Sequence, residues 1–278
     1  MKQLVVTADD FGMAAEVNEA VEIAHRDGIL SATSLMVSGL GAADAVARAR
    51  RLPSLRVGLH LVLVDGVPTL PPERLPDLVG DDGRFRTDIA KLGFDIFTRP
   101  SARRQMVAEV EAQFAAYRAT GLPLDHVNAH RHFHLHPSIA SAILAAGKRY
   151  GMTALRVPLE PRAVLAKVQP AGRAGVAWIS APWIRMLGTR ARRVGLRTPD
   201  AVFGLAWSGA MTAERVEGVL RMVPEGRTEI YFHPAIRNDF PGHAPGYRYV
   251  EELTALTAPG VIAMARRGDV TIGGYADF

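Results

Sequence analysis

One pattern repeats along this chain and limits what it can fold into: a short apolar run, then a segment with helical spacing, about seven or eight times over. The runs are Gln3–Ala8, Ser31–Val37, Leu55–Leu63, Leu124–Arg131, Ala154–Val157, Ala201–Ala206, Glu229–His233 and Asp269–Ile272. Near-continuous apolar runs such as QLVVTA and LRVGLHLVL suit strands buried on both faces. Helical spacing separates them over Ala14–Arg26, Ala42–Arg51, Ser101–Thr120, Pro137–Tyr150, Ile179–Arg193, Thr212–Met222 and Tyr249–Arg267. Strands joined by helices run parallel, because each crossover returns the chain to the same end of the sheet. The count favours an irregular (β/α) barrel, TIM-barrel-like, with seven or eight parallel strands, over an open doubly wound sheet. No repeat or low-complexity linker divides the 278 residues, so 1–278 reads as a single domain. Pro68, Pro71, Pro72, Pro76 and the Asp82-Gly83 turn mark an excursion loop at about 65–88. Residues 172–198 are expected as a lid segment.

Composition narrows the chemistry. There is no cysteine, which excludes disulfides, thiolate zinc sites, iron–sulfur clusters and thiol nucleophiles. A reducing cytoplasm fits this absence. The net charge of +5 favours anionic partners. No basic run interleaved with aromatics marks a nucleic-acid surface, so none is expected as partner. The apolar start of MKQLVVTADDFG ends at two aspartates, too soon for a signal peptide.

The polar oddities fall at the carboxyl ends of the expected strands, the end where barrel enzymes build their sites. Asp9-Asp10 is the first. Two adjacent carboxylates repel, so either one binds a metal beside a free base or both sit on a solvated strand end before a helix. The second is HVNAHRHFHLH, with five of the nine histidines between His126 and His136. In an extended chain His130, His132, His134 and His136 share one face, where imidazoles can converge on a cation or do acid–base work. His60 in GLHL and His233 in YFHPA are each weak alone, since a strand histidine is more often a hydrogen-bonded core residue. Asp10, His60 and one cluster histidine make an Asp-His-His set suited to zinc, manganese, iron or magnesium. His233 remains as a general acid. Walker A, GxGxxG and GxSxG motifs are absent.

TADDFG, GLHL, HVNAHRHFHLH and FHPA, in that order and spread over nearly the whole chain, resemble the YdjC-type carbohydrate deacetylases. TADDFGMAAEVNEAVEIAHRDGILSATSLMVSG and VGLHLVLVDGVPTLPP are similar to its hopanoid-associated HpnK branch. The resemblance implies an irregular (β/α) barrel and hydrolysis of the acetamide of an N-acetylated sugar with one divalent metal, Mg2+ or Zn2+. It implies Asp10, His60 and His130 as ligands, Asp9 as base and His233 as acid, with Arg156, His132 and Asn128 on the substrate side. Relatives often carry an aspartate where this chain has Asn128, which brings no charge. A phosphoesterase on a similar barrel and a non-catalytic metal or lipid carrier are the competing readings. The former generally needs more carboxylates than this chain offers, and the latter needs neither Asp9 nor His233.

A hopanoid head group would be reached from the membrane surface. Ala177–Arg193 sets Trp178, Ile179, Trp183, Ile184, Met186 and Leu187 ahead of Arg190, Arg192 and Arg193, as suits an anionic lipid interface or equally a core helix with solvated arginines. Pro182 argues against one straight helix there. The expected partners are thus an N-acetylated sugar or glycolipid, a membrane surface touched peripherally, and a second copy of the chain as a homodimer.

Overall fold

The computed structural model describes residues 1–169 and 177–278, with side chains of the segment after the break from Pro182 onward. Seven strands are present among the described residues: β1 Lys2–Phe11, β2 Ala32–Leu35, β3 Arg56–Leu61, β4 Val127–Ala129, β5 Ala201–Phe203, β6 Gly226–Phe232 and β7 Val270–Ile272. All pairings are parallel, in the order β4-β3-β2-β1-β6-β5, with β7 also on β1. The helices are α1 Ala15–Asp27, α2 Ala42–Arg51, α3 Ile89–Thr98, α4 Pro100–Ala119, α5 Pro137–Arg149, α6 Arg162–Val168, α7 Ala177–Arg193, α8 Ala213–Arg221, α9 Tyr249–Thr257 and α10 Pro259–Ala265. The result is a curled parallel sheet wrapped by helices, an irregular (β/α) barrel. β1 is central, and its last eight residues are all buried, which is why QLVVTA reads as an unbroken apolar run.

The sheet's two edges, β4 and β5, approach through residues 154–159. The sequence predicts a strand at Ala154–Val157. Instead the segment makes single bridges, Leu155 to Val127 and Ala154 to Arg197, and Leu159 accepts a hydrogen bond from the Val202 amide at 2.9 Å. Pro158 and Pro161 remove two backbone donors just where a ladder would continue. Proline also corrects the expected helix Tyr249–Arg267. Pro259 begins α10 and forces Ala258 into an extended conformation (φ −65°, ψ 130°), so α9 and α10 are separate. Pro182, by contrast, lies inside α7 without ending it.

The sequence reading has no helix over Ile89–Thr98. α3 forms there because the Asp88 side chain accepts from the Lys91 amide at 2.9 Å, while Leu92 and Ile96 pack inward. The preceding excursion holds one 3-10 turn, Pro72–Arg74, and a bridge from Val79 to Phe85 around Gly83. Buried Glu109 of α4 pins it by accepting from the amides of Thr69 (2.7 Å) and Leu70 (2.9 Å). Part of the expected lid, residues 172–176 and the side chains of Trp178 and Ile179, lies outside the described residues. From Pro182 on, Trp183 and Met186 are exposed and Ile184 and Leu187 are buried.

Candidate active site

In a regular strand neighbouring side chains point to opposite faces, so Asp9 and Asp10 should not share a site. β1 breaks that rule locally. Its register on β2 shifts between Ala8 and Phe11, and Asp10 takes φ +63°, in the left-handed region. The bulge brings both carboxylates to one cleft. Gly12, at φ +93°, turns the chain away, and a Cβ there would meet the Met36 carbonyl oxygen at 2.8 Å.

The histidine-rich segment departs from expectation in a similar way. β4 stops at Ala129, and His130–Leu135 is a 3-10 turn kinked at Arg131 and His132, both with φ near +52°. Histidines 130, 132, 134 and 136 therefore do not share the face of an extended strand. His130, His132 and His136 line the cleft. His134 is buried, donates to the Arg156 carbonyl at 3.0 Å, and burial, reinforced by the Arg156 charge, lowers its pKa to about 3. His136 caps α5 beside Phe97. His126 lies at the far end of β4, paired with Asp125 at 2.9 Å.

Asp10, His60 and His130 converge. Asp10 Oδ1 is 3.1 Å from His60 Nε2 and 3.1 Å from His130 Nδ1, and the three donor atoms lie within 4.8 Å of one another. His60 Nδ1–H donates to Asn128 Oδ1 at 2.6 Å. When the ring is neutral this fixes its tautomer and leaves the Nε2 lone pair facing the triad. His60 Nε2 is buried and makes no hydrogen bond. Burial opposes charge on Asp10 and His60 alike. The histidines nevertheless hold Asp10 well below the usual carboxylate range, and the two aspartates raise His60. An orphaned imidazole nitrogen, a carboxylate and a second imidazole in a pocket that favours positive charge fit a divalent cation.

Asp9 is held differently. Burial works to raise its pKa, but the Arg156 guanidinium, with His60 helping, pulls it far below normal. Arg156 donates from Nη1 to Asp9 Oδ2 (2.5 Å) and from Nη2 to Oδ1 (2.9 Å). Oδ1 also accepts from Ser34 Oγ (2.9 Å) and Asn128 Nδ2 (3.0 Å). With three donors on Oδ1 and one on Oδ2, Oδ2 is the oxygen with capacity left for a proton.

Arg156 and Asn128, expected on the substrate side, are both 0% exposed and lie behind the residues that line the cleft. Arg156 is clamped between Asp9 and Glu229, with Nε 3.0 Å and Nη2 2.7 Å from the Glu229 carboxylate, and its guanidinium lies 4.6 Å from the Tyr231 ring centre. Asn128 joins His60 to Asp9. His132 does line the cleft and shares a 3.1 Å hydrogen bond with Tyr231 OH. Burial, then the Arg156 charge, keeps His132 well below the ordinary histidine range, so it is neutral. His233 follows β6 and lines the same cleft between Tyr231 and Tyr247, and its amide donates to buried Glu252.

Sequence reasoning missed Glu229, Glu160 and Tyr231. Glu160 accepts from the amides of Gly204, Leu205 and Ala206 at 2.9–3.0 Å and so shapes the loop after β5. Glu229 and Tyr231 carried one usable signal: with His233 they alternate with the apolar Ile230 and Phe232, which puts all three on one face of the strand.

Fold and site together define a (β/α)-barrel protein with a buried Asp-His-His cluster at the carboxyl ends of its strands. The YdjC-like protein family model matches residues 3–267, and this chain belongs to that family. A carbohydrate deacetylase from Thermoanaerobacter pseudethanolicus is 26% identical over 99% of both chains. The Homo sapiens carbohydrate deacetylase is 31% identical over 97% of this chain and 89% of its own. A crystal structure from Enterococcus faecalis V583 shares the fold, with a TM-score of 0.76 at 24% identity over 99% of this chain and 98% of that one.

Proposed function

We propose that the protein is a metal-dependent hydrolase that removes the acetyl group from an N-acetylglucosamine-type sugar. The observation that carries this is the juxtaposition of the Asp10–His60–His130 triad with Asp9, whose Oδ2 accepts a single hydrogen bond and keeps capacity for a proton. The carbohydrate deacetylases similar to this chain support the substrate class. Asp10, His60 and His130 would hold one divalent cation, Mg2+ or Zn2+, which when bound supplies an acidified water and an electrophile for the carbonyl oxygen. Asp9 Oδ2 accepts the proton of the attacking water as the oxygen–carbon bond forms. Arg156, Ser34 and Asn128 keep Oδ1 occupied, so the carboxylate cannot rotate away. His233 delivers a proton to the nitrogen as the carbon–nitrogen bond breaks, and acetate and the free amine leave. Incubation with an N-acetylglucosaminide and with a phosphate ester tests the reading. Acetate is expected from the first, and Asp9→Asn should retain metal yet be slower by about 10²–10⁴-fold. Phosphate release without acetate would make the protein a phosphoesterase instead.

The finer reading is a glycolipid substrate, the head group of a hopanoid as in the HpnK branch. The cleft encloses about 1430 Å³, more than the roughly 300–1,000 Å³ of a typical small-ligand site. Beyond the polar residues its wall is apolar, with Leu159, Leu165, Ile184 and Leu205. No helix among the described residues is long and apolar enough to cross a membrane. Trp183 is 50% exposed on α7, two residues before Arg185, which lines the cleft, and an exposed aromatic on a basic helix supports peripheral contact with an anionic membrane. Sedimentation with anionic vesicles should be measurable at low salt, fall at high salt and fall again in Trp183→Ala. Equal, negligible sedimentation of both proteins at low salt removes the membrane from the proposal.

A further inference from the structure

We infer that the C-terminal turn is a positioning element for the reacting aspartate, acting through the Tyr275 hydroxyl, Glu229 and Arg156. The function it serves rests on the hydrolase reading above; its path rests on geometry alone. Tyr275 opens a 3-10 turn, Tyr275–Asp277, three residues from the end of the chain, yet it is buried. Its hydroxyl donates to Glu229 Oε2. Glu229 Oε1 accepts from Thr7 Oγ1 at 2.7 Å, and both oxygens accept from Arg156. The adjacent edge of the same guanidinium, which shares Nη2, holds Asp9. Tyr275 is thus three contacts from the oxygen that takes the proton.

The turn is anchored by several independent contacts. Asp125 accepts from the amides of Tyr275 (3.1 Å) and Ala276 (2.8 Å). The His126 ring stacks on Tyr275 with centroids 4.6 Å apart. Arg56 pairs with Asp277, its Nε donating at 3.0 Å. Gly274 admits no side chain, because a Cβ would lie 2.3 Å from Arg56 Cγ and 2.8 Å from Asp125 Oδ1. These contacts hold the phenol rather than one another's exposed ends. Burial keeps the phenol protonated and therefore a donor. Without that donor Glu229 keeps its contacts to Arg156 but can turn about them, and the guanidinium fork that sets Asp9 is no longer fixed on the edge that faces Glu229. A misplacement on the order of 1 Å at a reacting group can cost 10²-fold in rate.

Tyr275→Phe tests this, since it keeps the stacked ring and deletes one hydroxyl. Thr7→Val removes the other hydroxyl on Glu229 from a different element and serves if the first variant folds poorly. With N,N′-diacetylchitobiose as substrate, both should lower kcat by about tenfold or more while KM and bound metal stay within about twofold. In 15N-labelled protein the resonance of the buried Arg156 Nε–H, which donates to Glu229, should shift and exchange faster in both than in the wild type. A merely structural tail would lower thermal stability without changing kcat. Wild-type kcat in both variants, or an unmoved Arg156 resonance, overturns the inference. Should the wild type release no acetate, the hydrolase reading fails, and the resonance alone then decides the positioning claim.

Discussion

Arg156→Met is expected to destabilise the protein by about 3–5 kcal/mol and to leave no measurable hydrolysis. The guanidinium is fully buried between two buried carboxylates and supplies two donors to each. Removing one partner of a buried ion pair strands the remaining charges in a medium that cannot solvate them, and here two carboxylates would be stranded together. Methionine fills much of the volume, so the loss is electrostatic rather than a cavity effect. The pH dependence follows from the signs. In the wild type Asp9 titrates well below its unfolded value near 3.8, so its stabilising contribution is present above that pH and is lost only as pH falls further. In the variant the strongest opposition to burial is gone and only His60 and His233 still lower Asp9, so it titrates higher than in the wild type and loses part of the stability it contributes above its unfolded pKa. The gap between the proteins should therefore narrow on acidification. Urea melts across the acid range measure it; a gap below 1 kcal/mol at neutral pH would show that the clamp matters little.

His60→Ala and His130→Ala are each expected to lose most bound metal and nearly all turnover, whereas His136→Ala keeps both. The first two remove donor atoms from a cluster whose third member, Asp10, sits 3.1 Å from each. Two remaining donors do not make the three-ligand set of a catalytic site. His60→Ala also frees Asn128, which would lose the Nδ1–H it now accepts from. His136 lines the cleft at the start of α5 but is not one of the three clustered donors, so its loss should leave metal and base in place. Metal content by elemental analysis, read beside acetate release, separates the outcomes. Stoichiometric metal in His60→Ala would overturn the ligand assignment.

Much of the architecture is legible in residue order. β1, α1, α2, β3 and α5 fall within a few residues of where periodicity sets them, because each buries a face whose spacing is visible in eight to fifteen residues. The failures are local and physical. Proline splits one expected helix and thins one expected strand, while α3 depends on a cap and on the α4 hairpin that follows it. Residue types in the site were legible too, since two aspartates and a run of histidines at strand ends are costly without a purpose.

The sequence alone determined the alternation of strands and helices, the chemistry available and the end of the sheet at which it would gather. Tertiary structure decided which groups meet and in what state. A bulge at Asp10 put two neighbouring carboxylates in one cleft, and a left-handed kink at Arg131 and His132 divided the histidines between cleft and core. Arg156 reaches Asp9 across 147 residues and Glu229 across 73, and Tyr275 reaches Glu229 across 46. Periodicity is a short-range signal set by one element's geometry. Which buried charge faces which depends on the closure of the whole barrel, and no local window of residues contains it.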